Sequence, residues 1–115
     1  MLTSVFEVTS PEDLPTSAYS HITFAFAFID PQTFKVSPMA ANQVDLYKRT
    51  TGLKETNSGM EVWIAIGGWS MNDPDQPTHS TFSDLAGSVA NQQKFFAPVI
   101  SFLQTYGFDG VDIDW

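Results

Sequence analysis

The sequence predicts an α/β fold with a parallel sheet, because strand-like runs alternate with helix-length segments. Three runs rich in β-branched and aromatic residues lie at residues 22–29, 62–66 and 110–115. The order strand, helix, strand, helix, strand implies parallel strands joined by right-handed crossovers. Three parallel strands cannot bury both faces of a sheet, so the sequence favours one part of a larger α/β protein.

The first connection carries a modest predicted helix over residues 44–54, with apolar residues along it.

The second strand, residues 62–66, runs into Gly67 and Gly68, which are followed by Trp69. Paired glycines let a backbone pass close to a ligand, and an aromatic ring offers a flat face on which a sugar can stack. For the glycines alone, a simple turn of the chain explains the pattern equally well.

The second connection contains the strongest helix signal, over residues 89–106, where apolar residues recur at mostly three-and-four spacing. Gly107 follows where helices commonly end in a left-handed residue. Pro98 removes one backbone hydrogen bond, so we expect a kink or a break near Ala97. Before this helix, residues 70–80 predict a long loop at the carboxyl end of the second strand, where α/β folds bind ligands.

Acidic residues are threaded through the apolar third strand. Asp112 and Asp114 share one side of a strand and Val111, Ile113 and Trp115 the other, with same-face neighbours about 6.6 Å apart. The apolar neighbours predict a buried strand, in which close like charges raise at least one pKa. Such a pair is costly unless its protonation is used, which favours catalysis over a calcium loop or a solvated turn.

The first strand carries alternating phenylalanines. Phe24, Phe26 and Phe28 would share one face of a regular strand. A row of this kind favours plain packing, because such side chains fill the interiors of barrels.

The composition disfavours several classes of function. A formal net charge of -8, from 13 acidic and 5 basic residues, disfavours nucleic acid and anionic membranes as partners and fits a neutral ligand better. Cysteine is absent and there are 2 histidines, which disfavours thiolate and zinc sites. No apolar run reaches the roughly 18 residues of a membrane span, and the first residues lack a signal-peptide pattern.

The third strand also carries a family motif. Asp109, Asp112 and Asp114 match the first three positions of Asp-x-x-Asp-x-Asp-x-Glu, found on the fourth barrel strand of family 18 glycoside hydrolases. From about residue 20 to Trp115, the chain resembles the catalytic domain of that family, the chitinases. The resemblance implies a partial (β/α)8 TIM barrel, roughly strands 2 to 4 with their helices. Residues 1–115 would be the N-terminal part of this catalytic barrel, truncated before the catalytic Glu.

Two further motifs support the resemblance. Residues 65–68 match Ser-x-Gly-Gly on the family's third strand, with Ala in place of Ser, which removes a hydroxyl but keeps the turn. Residues 21–26 resemble the family's second strand, which implies that Phe26 lines the pocket. The match at residues 65–68 implies that Gly68 and the neighbouring Trp69 bind substrate. Two short segments favour the fungal, killer-toxin-like branch of the family: residues 28–31 and 72–75.

The resemblance implies substrate-assisted cleavage of β-1,4 N-acetylglucosamine linkages in chitin or chitooligosaccharides, with retention of configuration. A Glu following Trp115 would protonate the glycosidic oxygen while the acetamido carbonyl of the substrate attacks the anomeric carbon. Asp114 would hold the acetamido N–H, Asp112 would share a proton with Asp114, and Asp109 would fix the local backbone. No metal or organic cofactor is implied, and the family implies an extracellular location.

Two alternatives stay open. One is a non-catalytic chitin-binding or lectin-like relative, in which another residue replaces the acid. The other is an unrelated α/β binding module whose acidic strand holds a cation. Because the acid would follow Trp115, we expect residues 1–115 alone to be inactive and to expose apolar surface.

Overall fold

The computed structural model describes residues 11–13 and 19–115, which form a four-stranded sheet with helices packed on it. The strands and helices, in chain order, are β1 (His21–Ile29), β2 (Val36–Pro38), α1 (Gln43–Gly52), β3 (Glu61–Gly67), α2 (Trp69–Asn72), α3 (Thr81–Ala86), α4 (Val89–Tyr106) and β4 (Gly110–Asp114). Short 3-10 turns lie at Pro11–Asp13 and Leu53–Glu55.

The sheet confirms the predicted α/β class. Its strand order is β2-β1-β3-β4, and β3 runs parallel to both β1 and β4. Sequence analysis missed β2, which pairs antiparallel with the end of β1 over three residues. The turn between them is held by Asp30, whose Oδ1 accepts hydrogen bonds from the backbone N–H groups of Gln32 and Thr33, both at 2.8 Å. These charge-favouring bonds lower the pKa of Asp30.

Alternation along the strands gives the sheet two different faces. The helix-covered face carries Val62, Ile64 and Ile66 of β3, all 0% exposed, and they join one core with side chains of α1 and α4. The open face, opposite, carries Asp112 and Asp114 of β4, which are exposed. Apolar burial on the first face holds the strands in place, and the second face remains available for chemistry.

Tyr47 of α1 connects the helices to β1. Its ring is fully buried and lies 4.9 Å from the ring of Phe24 and 5.7 Å from that of Phe102, centroid to centroid. The Tyr47 hydroxyl donates a hydrogen bond of 2.9 Å to the backbone carbonyl of Phe26. Burial raises the pKa of Tyr47 to about 12.

Helix α4 begins and ends as predicted, but it does not break at Pro98. Ser88 caps its start by accepting a hydrogen bond from the N–H of Asn91 at 3.2 Å, and left-handed Gly107 ends it. The helix is continuous through Pro98. Buried side chains on both sides of the proline explain this, because they anchor both halves of the helix in the core: Phe95, Val99 and Phe102.

Two other predicted segments differ in detail from the structure. The predicted helix over residues 44–54 begins one residue earlier and ends at Gly52, after which a 3-10 turn follows. The predicted loop over residues 70–80 begins with the helical turn α2, and the helix α3 after it was not predicted. Both helices are short and lack a long apolar period, so the sequence carries little signal for them.

Candidate functional site

The predicted contact residues Phe26 and Gly68 lie against each other at the carboxyl end of the parallel strands. Pairing of β1 with β3 shifts between Ala25 and Ala27, so Phe26 is an extra residue in β1. The expectation that the three phenylalanines of β1 share one face is therefore wrong. Phe24 packs on Tyr47, on the helix-covered face, whereas the ring of Phe26 reaches the turn after β3.

Glycine is required in this turn. Gly68 has φ +81°, and a Cβ there would lie 2.9 Å from the ring of Phe26. Gly67 has φ +118°, and a Cβ there would collide with the carbonyl oxygen of Asp114 and lie 2.9 Å from the ring of Phe82. Both glycines are therefore fixed by conformation and by close approach, which is more than a simple turn requires.

The same turn connects β3 to the end of β4. The N–H of Gly68 donates a hydrogen bond of 3.0 Å to the carbonyl of Asp114. The side-chain amide of Asn72 donates to the same carbonyl at 3.0 Å. Asp114 is thereby held beside the glycine turn by two hydrogen bonds to its backbone.

A pocket of about 370 Å³ opens beside this junction. Its walls are Gly68, Trp69, Asn72, Asp73, Asp114 and Trp115. Trp69 is 85% exposed and Trp115 is 65% exposed, so both indole rings present apolar area to solvent beside a carboxylate. Flat aromatic area next to hydrogen-bonding groups suits a sugar ring, whose faces are apolar and whose edges are polar.

The structure corrects one expectation about the acidic strand. Asp112 and Asp114 lie on one face of β4 as predicted, but they are exposed instead of buried. The reason is the position of β4, which is an edge strand of the described sheet with β3 as its neighbour. Small side chains surround the carboxylates: Asp112 pairs with Ala65 and Asp114 with Gly67, which leaves space for a ligand.

Asp109 lies at the other end of β4, away from this junction. Its Oδ2 accepts a hydrogen bond of 2.8 Å from the N–H of Val62, and its own N–H donates to the carbonyl of Val62 at 2.8 Å. The ammonium group of Lys54 lies 3.1 Å from the Oδ1 of Asp109. These contacts align the start of β4 with β3. They also direct the Asp109 carboxylate away from the other two acids, so the three do not form a shared cation site.

Sequence reasoning assigned no function to three residues that form this junction. Asn72 bridges two carbonyl groups, Phe82 packs 5.8 Å from Trp115 between ring centroids, and Trp115 lines the pocket. Trp115 was placed on the face opposite the acids, but it follows the last residue of β4, where strand alternation no longer applies. Nothing in the local pattern of Asn72 or Phe82 indicates these contacts.

Comparison with known protein families decides the identity of the fold. The family described as Glycosyl hydrolases family 18 matches residues 3–115. The chain belongs to this family.

Relatives and solved structures extend this family 18 assignment. Chitotriosidase-1 of Mus musculus is 33% identical over 105 residues, which cover 91% of this chain and 21% of that protein. The Ostrinia furnacalis Group II chitinase catalytic domain 2 matches with a TM-score of 0.78 and 30% identity, covering 92% of this chain and 27% of that one. The predicted fold class, a partial TIM barrel, is confirmed. The chain spans about a fifth of the length of the chitotriosidase.

A second structure shows that relatives of this fold differ in activity. Human YKL-39, described as a pseudo-chitinase with retained chitooligosaccharide binding properties, matches with a TM-score of 0.74 and 27% identity, covering 92% of this chain and 27% of that one. The killer-toxin-like branch stays a prediction.

Across residues 11–13 and 19–115, no group of three or more His, Cys, Asp and Glu side chains is arranged to hold a metal ion. None of the described helices combines the length and hydropathy that crossing a bilayer requires.

Proposed function

We propose that this chain is the N-terminal part of a chitinase-type catalytic barrel that cleaves β-1,4 linkages between N-acetylglucosamine units. The observation that carries the proposal is the junction at the carboxyl end of the sheet. There the glycine turn, the exposed ring of Trp69 and the carboxylate-bearing end of β4 surround one pocket. This combination of a stacking surface and an acid next to it suits a carbohydrate with an acetamido group.

Asp114 is the proposed catalytic carboxylate. It accepts a hydrogen bond from the N–H of the substrate acetamido group and orients the acetamido carbonyl towards the anomeric carbon. It also stabilises the positive charge of the oxazolinium intermediate. Asp112, two residues earlier on the same open face, shares a proton with Asp114. The acid that protonates the leaving oxygen is proposed to be a Glu directly after Trp115.

The proposed substrate contacts involve three side chains or turns. Trp69 stacks on a sugar ring, the backbone of Gly68 allows close approach, and Phe26 packs behind Gly68 and holds the turn from the side of β1. The proposed partners are chitin or chitooligosaccharides, with no resident cofactor. Because chitin is an insoluble polymer outside cells, we propose an extracellular location, which activity in a culture supernatant would test.

The test uses the complete protein that contains this chain, with chitotetraose as substrate. Active protein should release products whose first-formed anomer retains the β configuration, measured by proton NMR. Asp114→Asn should lower kcat about 10²–10³-fold, since it removes a charge that stabilises the intermediate. Asp45→Asn, on the exposed face of α1, is the matched control and should leave kcat unchanged. Inversion of configuration, or equal rates for both variants, would overturn the mechanism.

A non-catalytic chitin-binding protein is the second candidate. The similarity to human YKL-39, a pseudo-chitinase by its description, favours it, and so does the pocket with two exposed indole rings. This candidate predicts chitotetraose binding, measured by calorimetry and weakened by Trp69→Ala, without turnover. The residue after Trp115 discriminates between the two: a Glu supports the enzyme, and a residue that cannot donate a proton supports the binding protein.

A further inference from the structure

We infer that Asn72 is a positioning residue that fixes the end of β4 and, through it, the carboxylate of Asp114. Its catalytic consequence rests on the proposed function. Asn72 is the last residue of α2, directly after the glycine turn. No motif of the sequence includes it as a functional residue, and its role follows from its hydrogen bonds.

The side-chain amide of Asn72 joins two strands. Its Nδ2 donates a hydrogen bond of 2.9 Å to the carbonyl of Gly68, which follows β3. It donates a second one of 3.0 Å to the carbonyl of Asp114, which ends β4. The backbone N–H of Asn72 also donates to the Gly68 carbonyl, at 3.1 Å. One NH₂ group thus uses both of its hydrogens on main-chain oxygens, one in the glycine turn after β3 and one at the end of β4.

This geometry requires an amide. A carboxylate at residue 72 would direct negative oxygen towards two carbonyl oxygens, and a hydroxyl group carries a single hydrogen. The Oδ1 of Asn72 is buried and has no hydrogen-bond partner among the described residues. An unpartnered buried acceptor is unfavourable, and here it accompanies an orientation that gives both N–H groups to the two strand ends.

The position of the Asp114 carbonyl controls the candidate site. The carbonyl accepts from Gly68 and from Asn72, so the last peptide of β4 is held from the side of the glycine turn. The Asp114 carboxylate branches from that same residue, and its direction depends on the peptide plane. Loss of the Asn72 bond leaves the single bond from Gly68, about which the strand end can rotate.

The test compares three variants of the complete protein. Asn72→Ala removes the amide, and Asn72→Asp keeps its size but replaces the donors by acceptors. Asn57→Ala is the matched control, because the Nδ2 of Asn57 also donates 2.9 Å to a carbonyl four residues earlier, that of Leu53, at a site away from the pocket. A purely structural role predicts similar effects on Tm and no selective effect on kcat for the variants at both positions.

The expected result for Asn72→Ala is a kcat on chitotetraose lowered about tenfold to a hundredfold, since small displacements of a catalytic group carry penalties of that size. Its KM should stay within about twofold, and Asn57→Ala should leave kcat unchanged although it lowers Tm. For Asn72→Asp, the ratio of variant to wild-type kcat should rise as the pH falls, because a protonated carboxyl regains one donor. Equal kcat for Asn72→Ala and Asn57→Ala would overturn the inference.

Amide hydrogen exchange gives a readout that does not depend on activity. The N–H of Gly68 should exchange faster in Asn72→Ala and Asn72→Asp than in wild type. Its exchange rate should be the same in Asn57→Ala as in wild type. Unchanged protection of Gly68 in both Asn72 variants would refute the positioning role. A wild-type protein that neither cleaves nor binds chitotetraose would refute the proposed function alone, since the exchange data still decide the role of Asn72.

Discussion

The two faces of the sheet differ in what their side chains do. On the helix-covered face, Val62, Ile64 and Ile66 are 0% exposed and contribute apolar burial. On the open face, Asp112 and Asp114 are exposed and flanked by alanine and glycine. These two strands therefore separate stability from chemistry by alternation alone. Substitutions on the first face should change unfolding, and those on the second should change binding and turnover.

The largest expected effect comes from a charge on the helix-covered face. Ile64→Asp places an unpaired carboxylate among apolar side chains and should destabilise the protein by more than about 4 kcal/mol, enough to prevent folding. Circular dichroism and the yield of soluble protein measure this. Asp112→Asn, on the open face, is the control and should fold normally. Soluble, cooperatively melting Ile64→Asp protein would contradict the division between the faces.

The next effect concerns the glycine turn at the carboxyl end of β3. Gly68→Ala adds a methyl group 2.9 Å from the ring of Phe26 at a φ of +81°, and should cost about 1–3 kcal/mol and weaken chitotetraose binding. Gly52→Ala should change stability in the opposite direction. Its φ is -62° with open space around it, so alanine should stabilise the protein by about 0.5–1 kcal/mol. Denaturant titration compares them, and a stabilising Gly68→Ala would be inconsistent with this geometry.

The fold could be predicted from the sequence largely because its strands are apolar and its longest helix is periodic. The strands β3 and β4 and the helix α4 each carry a local pattern that tertiary contacts reinforce. The motif positions Phe26, Gly68 and Asp114 could be predicted to approach one another because parallel strands end at one edge. Their exact geometry could not, since an inserted residue in β1 and a side-chain amide in α2 leave no periodic signal.

The acids are exposed in the described sheet, whereas the sequence predicted a buried strand. The apolar neighbours Val111 and Ile113 suggested a buried strand, but burial depends on what lies beside a strand and not on its own residues. In this sheet β4 is an edge, and Ile113 itself is 44% exposed.

A smaller effect is expected at the connection between α1 and β1. Tyr47→Phe removes the hydroxyl that donates to the Phe26 carbonyl and leaves that partly buried acceptor without this bond, at a cost of about 1–2 kcal/mol. The effect should depend on pH. Because the folded pKa is about 12 against an ordinary 10, the unfolded state loses its proton first and wild-type stability falls as pH rises from about 10 to 12.

The control for this titration is the variant itself. Tyr47→Phe should lack this contribution, so the stability difference between wild type and variant should shrink above about pH 10. Urea unfolding at pH 8 and pH 11 measures both differences. A constant difference across that interval would show that Tyr47 does not titrate as its burial requires.

The smallest effect is expected for Asp109→Asn, and its comparison with Asp109→Ala separates two roles of Asp109 at the start of β4. Asp109→Asn removes the ion pair with partly exposed Lys54 but keeps an oxygen for the N–H of Val62, so it should cost less than about 1 kcal/mol. Asp109→Ala also leaves that N–H without its acceptor, which adds about 1–3 kcal/mol. The ion pair dominates if both variants lose the same stability relative to wild type at low salt and if this difference shrinks equally for both at high salt. The expected inequality instead means that Asp109 acts through the backbone, aligning β4 so that Asp114 reaches the glycine turn.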